Sequence, residues 1–218
     1  MLLQRVAPLW IASASREHLD VIRGMPALRY LAVWPLNYNM DAPDLPPQLQ
    51  ELRVTNVPAQ HLQSVQQMPN LRKLVLHCNT PLDVTFTPLP PGHRGLQWLG
   101  VGLRPFSTVL SLAKAHAATL QELRILCVSE RDSEWHFADL AEGLRQCGLV
   151  ALRRLVLVRE PGLPIKQLTH GKISCKKQKR AVWDALLAAD SERVVKVLCQ
   201  ACDECPAYPN LGDFTWRD

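Results

Sequence analysis

The spacing Cys199-x-x-Cys202-x-x-Cys205 is the arrangement in this chain best suited to chemistry. Three thiolates at such intervals can hold zinc, with His170 or Cys175 as a fourth ligand. A second account competes with that one. Cys199 falls at the third apolar position of a repeated strand pattern, where a small buried hydrophobe fits. Cys202 follows three residues later, at the place Asn79 holds after Leu76, where Asn or Cys bonds the loop backbone. A second Cys-x-x-Cys pair is missing. The expectation is therefore no metal and no cofactor, with Cys199, Cys202 and Cys205 as the alternative zinc set.

Other motifs carry less. Lys172-x-x-x-Lys176-Lys177-x-Lys179-Arg180 is a basic run that suits a nuclear address or an acidic partner, although such runs are more often solvated surface. No aromatics interleave with it, so nucleic acid is not an expected partner. Gly100-Val101-Gly102 is half a dinucleotide fingerprint, and Leu103-Arg104-Pro105 follows where a helix should start. Gly-x-Ser-x-Gly, His-Glu-x-x-His and phosphate-binding loops are absent. The chain is not expected to be an enzyme.

The elements that must position these residues are announced by a repeat. Eight copies of one apolar pattern start at Val6, Leu28, Leu49, Leu71, Leu96, Leu120, Leu152 and Val194. Each reads apolar-x-x-apolar-x-apolar, as in Leu71-x-x-Leu74-x-Leu76. The steps are 22, 21, 22, 25, 24, 32 and 42 residues. His18–Arg29 also aligns without a gap on His61–Arg72, two repeats later, which argues against chance and for a structural role of both histidines. A period in the low twenties with this pattern is the signature of leucine-rich repeats.

Alternation within each copy is the period of a strand. The expected fold is α/β, a repeat solenoid with parallel strands on a concave face. Helices are expected on the convex face near residues 107–118, 134–147 and 179–190. Phe137, Leu140, Ala141 and Leu144 fall on one helix face, with Asp132 or Ser133 as cap and Gly148 as a left-handed stop. The segments 41–48 and 88–95 are proline-rich and too short for a good helix. Residues 1–205 are read as the solenoid, with a loop-like insertion at about 160–179, and 206–218 as a tail.

The formal charge of +5 is mild and 47% hydrophobic residues is normal for a folded protein. No run is apolar enough for a membrane span. The chain opens Met1-Leu2-Leu3-Gln4-Arg5 without a secretory signal, and its seven cysteines are read as reduced thiols. The expected location is the cytoplasm, or the nucleus.

The repeat region, with Leu120-Gln121-Glu122-Leu123-Arg124-Ile125-Leu126-Cys127, resembles the cytosolic F-box/leucine-rich-repeat proteins over residues 1–205. The resemblance implies substrate recognition for a ubiquitin ligase. It also implies ligase subunits as partners, through a helical F-box module that is missing here or separate. The first copy begins almost at once, so something covers that edge or the chain belongs to a longer architecture. A scaffold or inhibitor unrelated to ubiquitin, and a small zinc module at the C-terminal cysteines, are the alternatives.

Alternation also assigns the concave face. Trp10, Tyr30 and Trp34, then Arg53, Lys73 and His77, then Trp98, Arg124 and Arg154 are the expected partner-binding residues. The aromatics are expected to be partly exposed anchors, and the cations to steer an acidic protein. Leu126, Val156, Val158 and Leu198 form an apolar stripe that Phe214 or Trp216 of the tail is expected to cover.

Overall fold

The structure is a computed structural model that describes residues 9–12, 15–34, 45–56, 59–131, 133–159, 170–189 and 194–205. Eight strands form one open sheet: β1 Leu9–Ala12, β2 Tyr30–Trp34, β3 Glu51–Thr55, β4 Lys73–His77, β5 Trp98–Gly102, β6 Glu122–Leu126, β7 Arg154–Val158 and β8 Lys196–Cys199. All neighbours are parallel, and spatial order follows chain order from β1 to β8. The fold is α/β, and every one of the eight repeat copies supplies one strand.

Register follows the repeat. Leu9, Leu31, Leu52, Leu74, Leu99, Leu123, Leu155 and Val197 form one row across the sheet. Ile11, Val33, Val54, Leu76, Val101, Ile125, Leu157 and Cys199 form another. A one-residue slip would turn both rows away from the core, so burial specifies the pairing. Main-chain rungs continue before the strands: the Arg72 amide donates to the Gln50 carbonyl at 2.8 Å, and the Gln97 amide to the Arg72 carbonyl at 2.9 Å.

Five helices are present among the described residues: α1 Arg16–Arg23, α2 Ala59–Gln66, α3 Phe106–Ala115, α4 Leu140–Gln146 and α5 Lys172–Ala189. Their apolar residues, such as Leu19, Leu62, Leu112, Leu144 and Val182, join the strand rows in one core. That shared core sets the helices against the face that carries the two rows. The short α1 and α2 were not among the expected helices. Ser15 caps α1 in a reciprocal box with His18, which is the structural role expected of that histidine. The side chain of His61 lies outside the described residues.

Two boundaries differ from expectation. The fourth helix starts at Leu140, beyond the turn at 138–139, and the Phe137 ring before it stacks on Phe106 at 4.5 Å. Ser133 accepts from the Trp135 amide instead of capping the helix, and Asp132 lies outside the described residues. Gly148 does end the helix region in the left-handed conformation, at φ +61°. The insertion expected to be loop-like through 179 is helical from Lys172, because Cys175, Val182 and Leu186 share one buried stripe. Residues 160–169 lie outside the described residues. The proline-rich segment 88–95 contains no helix, as expected.

One buried histidine ties α3 to the strand that precedes it. The Leu96 amide donates to His116 Nδ1 at 3.0 Å, so that nitrogen must be unprotonated. Burial, with His93 nearby, holds the His116 pKa down to about 4. The unfolded chain takes up this proton near pH 6.5 and the folded protein does not. Stability is therefore full above about pH 6.5 and falls as pH drops toward 4, by about 3 kcal/mol from this residue. Urea midpoints between pH 7.5 and about 4.5 should decline more steeply for the wild type than for His116→Asn. Equal slopes would refute this role.

Candidate functional site

The face opposite the helices carries the residues that alternate with the core rows. In register these run Tyr30, Glu51, Lys73, Trp98, Glu122, Arg154 and Lys196 along one line. Ala32, Arg53, Val75, Gly100, Arg124, Val156 and Leu198 form the next line. The structure thus brings Trp10, Tyr30, Arg53, Lys73, His77, Trp98, Arg124 and Arg154 onto one face. It does not leave them as expected.

Tyr30 and Trp98 are buried, not partly exposed. They pack with Ala32 and Val75 in a cluster of their own on this face. Neighbour size explains it. Trp98 lies over Gly100, where an added Cβ would come within 2.9 Å of the ring. Burial pushes the Tyr30 hydroxyl up to about 12. Trp10 does stay exposed, at 46%, and leans on Tyr30 with ring centroids 6.0 Å apart. The side chain of Trp34 lies outside the described residues.

The cations are also spoken for. Lys73 Nζ reaches Glu51 at 2.7 Å, and Arg124 Nε reaches Glu122 at 2.7 Å. Arg154 binds the other Glu122 oxygen, and Arg124 sits over the Trp98 ring at 5.5 Å. Arg53, Arg124 and His77 are buried, while Arg154 and Lys73 keep part of their side chains in solvent. His77 Nε2 lies 2.9 Å from Asn79 Oδ1, and burial lowers its pKa. Lys73, Arg124 and Arg154 therefore form a carboxylate-paired ladder, not a free positive field. Glu51 and Glu122 are the residues that reading the outward positions missed. Their register opposite Lys73 and Arg154 was the available signal.

The apolar stripe is covered in part. Leu126, Val156 and Val158 are buried and Leu198 is half-buried. Trp135, which follows β6, folds back to stack on His77 at 6.2 Å under the Arg104 guanidinium. Cys205 is partly buried against the core. Phe214 and Trp216 lie outside the described residues.

A second constellation stands at the β8 end. His170, Cys175, Cys199 and Cys202 bring their donor atoms within 4.8 Å of one another. His170 Nε2 lies 3.4 Å from Cys199 Sγ and 3.2 Å from Cys202 Sγ. Cys205 is not in the cluster, so the alternative set of Cys199, Cys202 and Cys205 needs correction. A tight turn explains the displacement: the Cys202 and Asp203 amides both return to the Cys199 carbonyl, and the chain then leaves. All seven cysteines are free thiols. Burial pushes the Cys175 thiol up to about 12, and it shares a hydrogen bond with Cys199. Burial raises Cys199 as well, but Cys175, the Ala201 amide and Arg159 outweigh it and leave its pKa below the ordinary value.

The basic run lies on α5, with Lys172, Lys176, Lys177 and Arg180 exposed. Arg180 pairs with Asp184 at 2.9 Å and Lys179 pairs with Asp203. Between α4 and α5 an open groove of about 850 Å³ is lined by residues that include Glu130, Arg131, His136, Lys177 and Val182. No helix among the described residues is long and apolar enough to cross a membrane. Comparison with known family models, curated proteins and solved structures finds no match to this chain.

Proposed function

We propose that this chain is a leucine-rich-repeat solenoid that binds another protein through the face opposite its helices, without catalysis. We propose further that the binding serves substrate recognition for a ubiquitin ligase, on the resemblance of its repeats. The observation that carries the binding reading is the partition of the sheet. The helix face packs into the core, while the opposite face carries an in-register row of aromatic and charged residues from Tyr30 to Arg154, and exposed Trp10 leans on the Tyr30 end of it. Aromatic and arginine side chains dominate interface energetics, which fits that row. Paired cations bias the reading away from simple attraction of an acidic partner. A partner would instead match a patterned surface in which Glu51 and Glu122 alternate with Lys73 and Arg154.

Cross-linked affinity purification of the wild type and Trp10→Ala tests this. Recovery of one protein by the wild type, with its affinity for Trp10→Ala weakened by about 2 kcal/mol, is the expected result. Ligase core subunits in the same complex support the ubiquitin reading. A partner without them favours a scaffold or inhibitor. Equal affinity for Trp10→Ala moves the interface away from this face.

A further inference from the structure

We propose that His170, Cys175, Cys199 and Cys202 together bind one zinc ion in a closed structural site. The four donors come from two regions of the chain, the start of α5 and the end of β8. His170 precedes α5, Cys175 lies in its first turns, Cys199 ends β8 and Cys202 sits in the turn that follows. Three thiolates and one imidazole are a standard structural zinc set. With zinc–sulfur bonds of about 2.3 Å and zinc–nitrogen bonds of about 2.0 Å, tetrahedral donors stand roughly 3.5–3.8 Å apart. The observed 3.2 and 3.4 Å separations from His170 Nε2, and the 4.8 Å limit on the whole set, lie around that spacing. Small side-chain adjustments suffice to close the site. Soft sulfur with imidazole in a tetrahedral array selects zinc over hard cations.

The surroundings are built to hold these donors. Glu130 Oε1 accepts from the Gly171 amide at 3.1 Å, beside His170. A side chain at 171 would collide with that carboxylate, since an added Cβ would stand 2.0 Å from Oε1. Asp203 Oδ2 accepts from the Cys199 amide at 2.6 Å and pairs with Lys179 of α5. Arg159 donates to the Cys127 carbonyl at 2.6 Å and to Gln178 of α5. Three thiolates on zinc leave one negative charge, and the Arg159 and Lys179 charges act on the Cys175 and Cys199 thiols. Cys202 is exposed, which gives the ion an entry path, whereas Cys175 and Cys199 are buried. All four positions are taken by protein groups, so the ion would staple α5 to the last strand and would activate no water.

The test uses the full chain, purified under reductant from zinc-supplemented cells. Elemental analysis should find one zinc ion per chain. Exchange for cobalt should give the visible bands of a tetrahedral ion and a thiolate charge-transfer band. Cys202→Ser and His170→Ala should lose more affinity than the roughly 10- to 100-fold typical of removing an outer hydrogen-bond partner. Cys205→Ser should keep the metal in full. Because Cys202 is exposed, Cys202→Ser should retain the far-ultraviolet spectrum, which separates lost binding from lost fold. Chelation should lower the melting temperature of the wild type and leave that of Cys202→Ser unchanged. A wild type that takes up no metal, iron in place of zinc, or loss of metal in Cys205→Ser with retention in Cys175→Ser would overturn the assignment.

Discussion

Replacing Glu122 with alanine should destabilise the protein by about 3 kcal/mol, more than any other single change on the face opposite the helices. Glu122 accepts from Arg124 at 2.7 Å and from Arg154, and the Arg124 side chain is only 3% exposed. Arg124 would keep its charge and its seat over Trp98 but lose the Glu122 carboxylate. Removing one member of a desolvated pair costs more than the pair is worth, because the remaining charge stays buried. Glu122→Gln should cost less, about 1–2 kcal/mol, since an amide oxygen can still accept one of the bonds. The double variant Glu122→Leu/Arg124→Met should recover most of the loss, as apolar groups of similar volume often match a buried pair. Urea melts of the four proteins decide it. A loss below about 0.5 kcal/mol for Glu122→Ala would mean that solvent screens the pair.

Leu74→Ala should cost about 2–5 kcal/mol. Leu74 is 1% exposed and stands between Leu52 and Leu99 in the first strand row. Both neighbours are held by paired strands, so the cavity cannot collapse freely. Leu9 occupies the same row at β1 but is only half-buried, and Leu9→Ala should cost clearly less. A change under about 0.5 kcal/mol in the Leu74→Ala melt would show that this row does not carry the core.

Strand positions and registers were legible because a two-residue period and a spacing in the low twenties leave one way to bury Leu31, Leu52 and Leu74 together. Exposure on the other face was not legible. Alternation says which way Trp98 points, but its burial depends on Gly100 next to it and on Val75 across the strand. Charge pairing needed the register itself, since Glu51 and Lys73 are 22 residues apart in sequence. The thiol cluster was half legible. Cys199 and Cys202 stand out by spacing, and His170 and Cys175 were open candidates for one place. The structure uses both, because α5 begins at Lys172 and carries Cys175 inward. Cys205 looked equivalent in sequence and is removed by the turn at Cys199.

Pairing each strand only with its sequence neighbour also sets how the chain closes during folding. No pair requires distant segments to meet, which favours rapid, progressive assembly. The rungs are not equal, however. Leu31 and Leu52 lie one short repeat apart, whereas Leu155 and Val197 are separated by twice that length. Each doubling adds about 0.6 kcal/mol of closure entropy. By loop closure alone, the β7–β8 rung on which Cys199 sits therefore costs about 0.6 kcal/mol more to close than the β2–β3 rung.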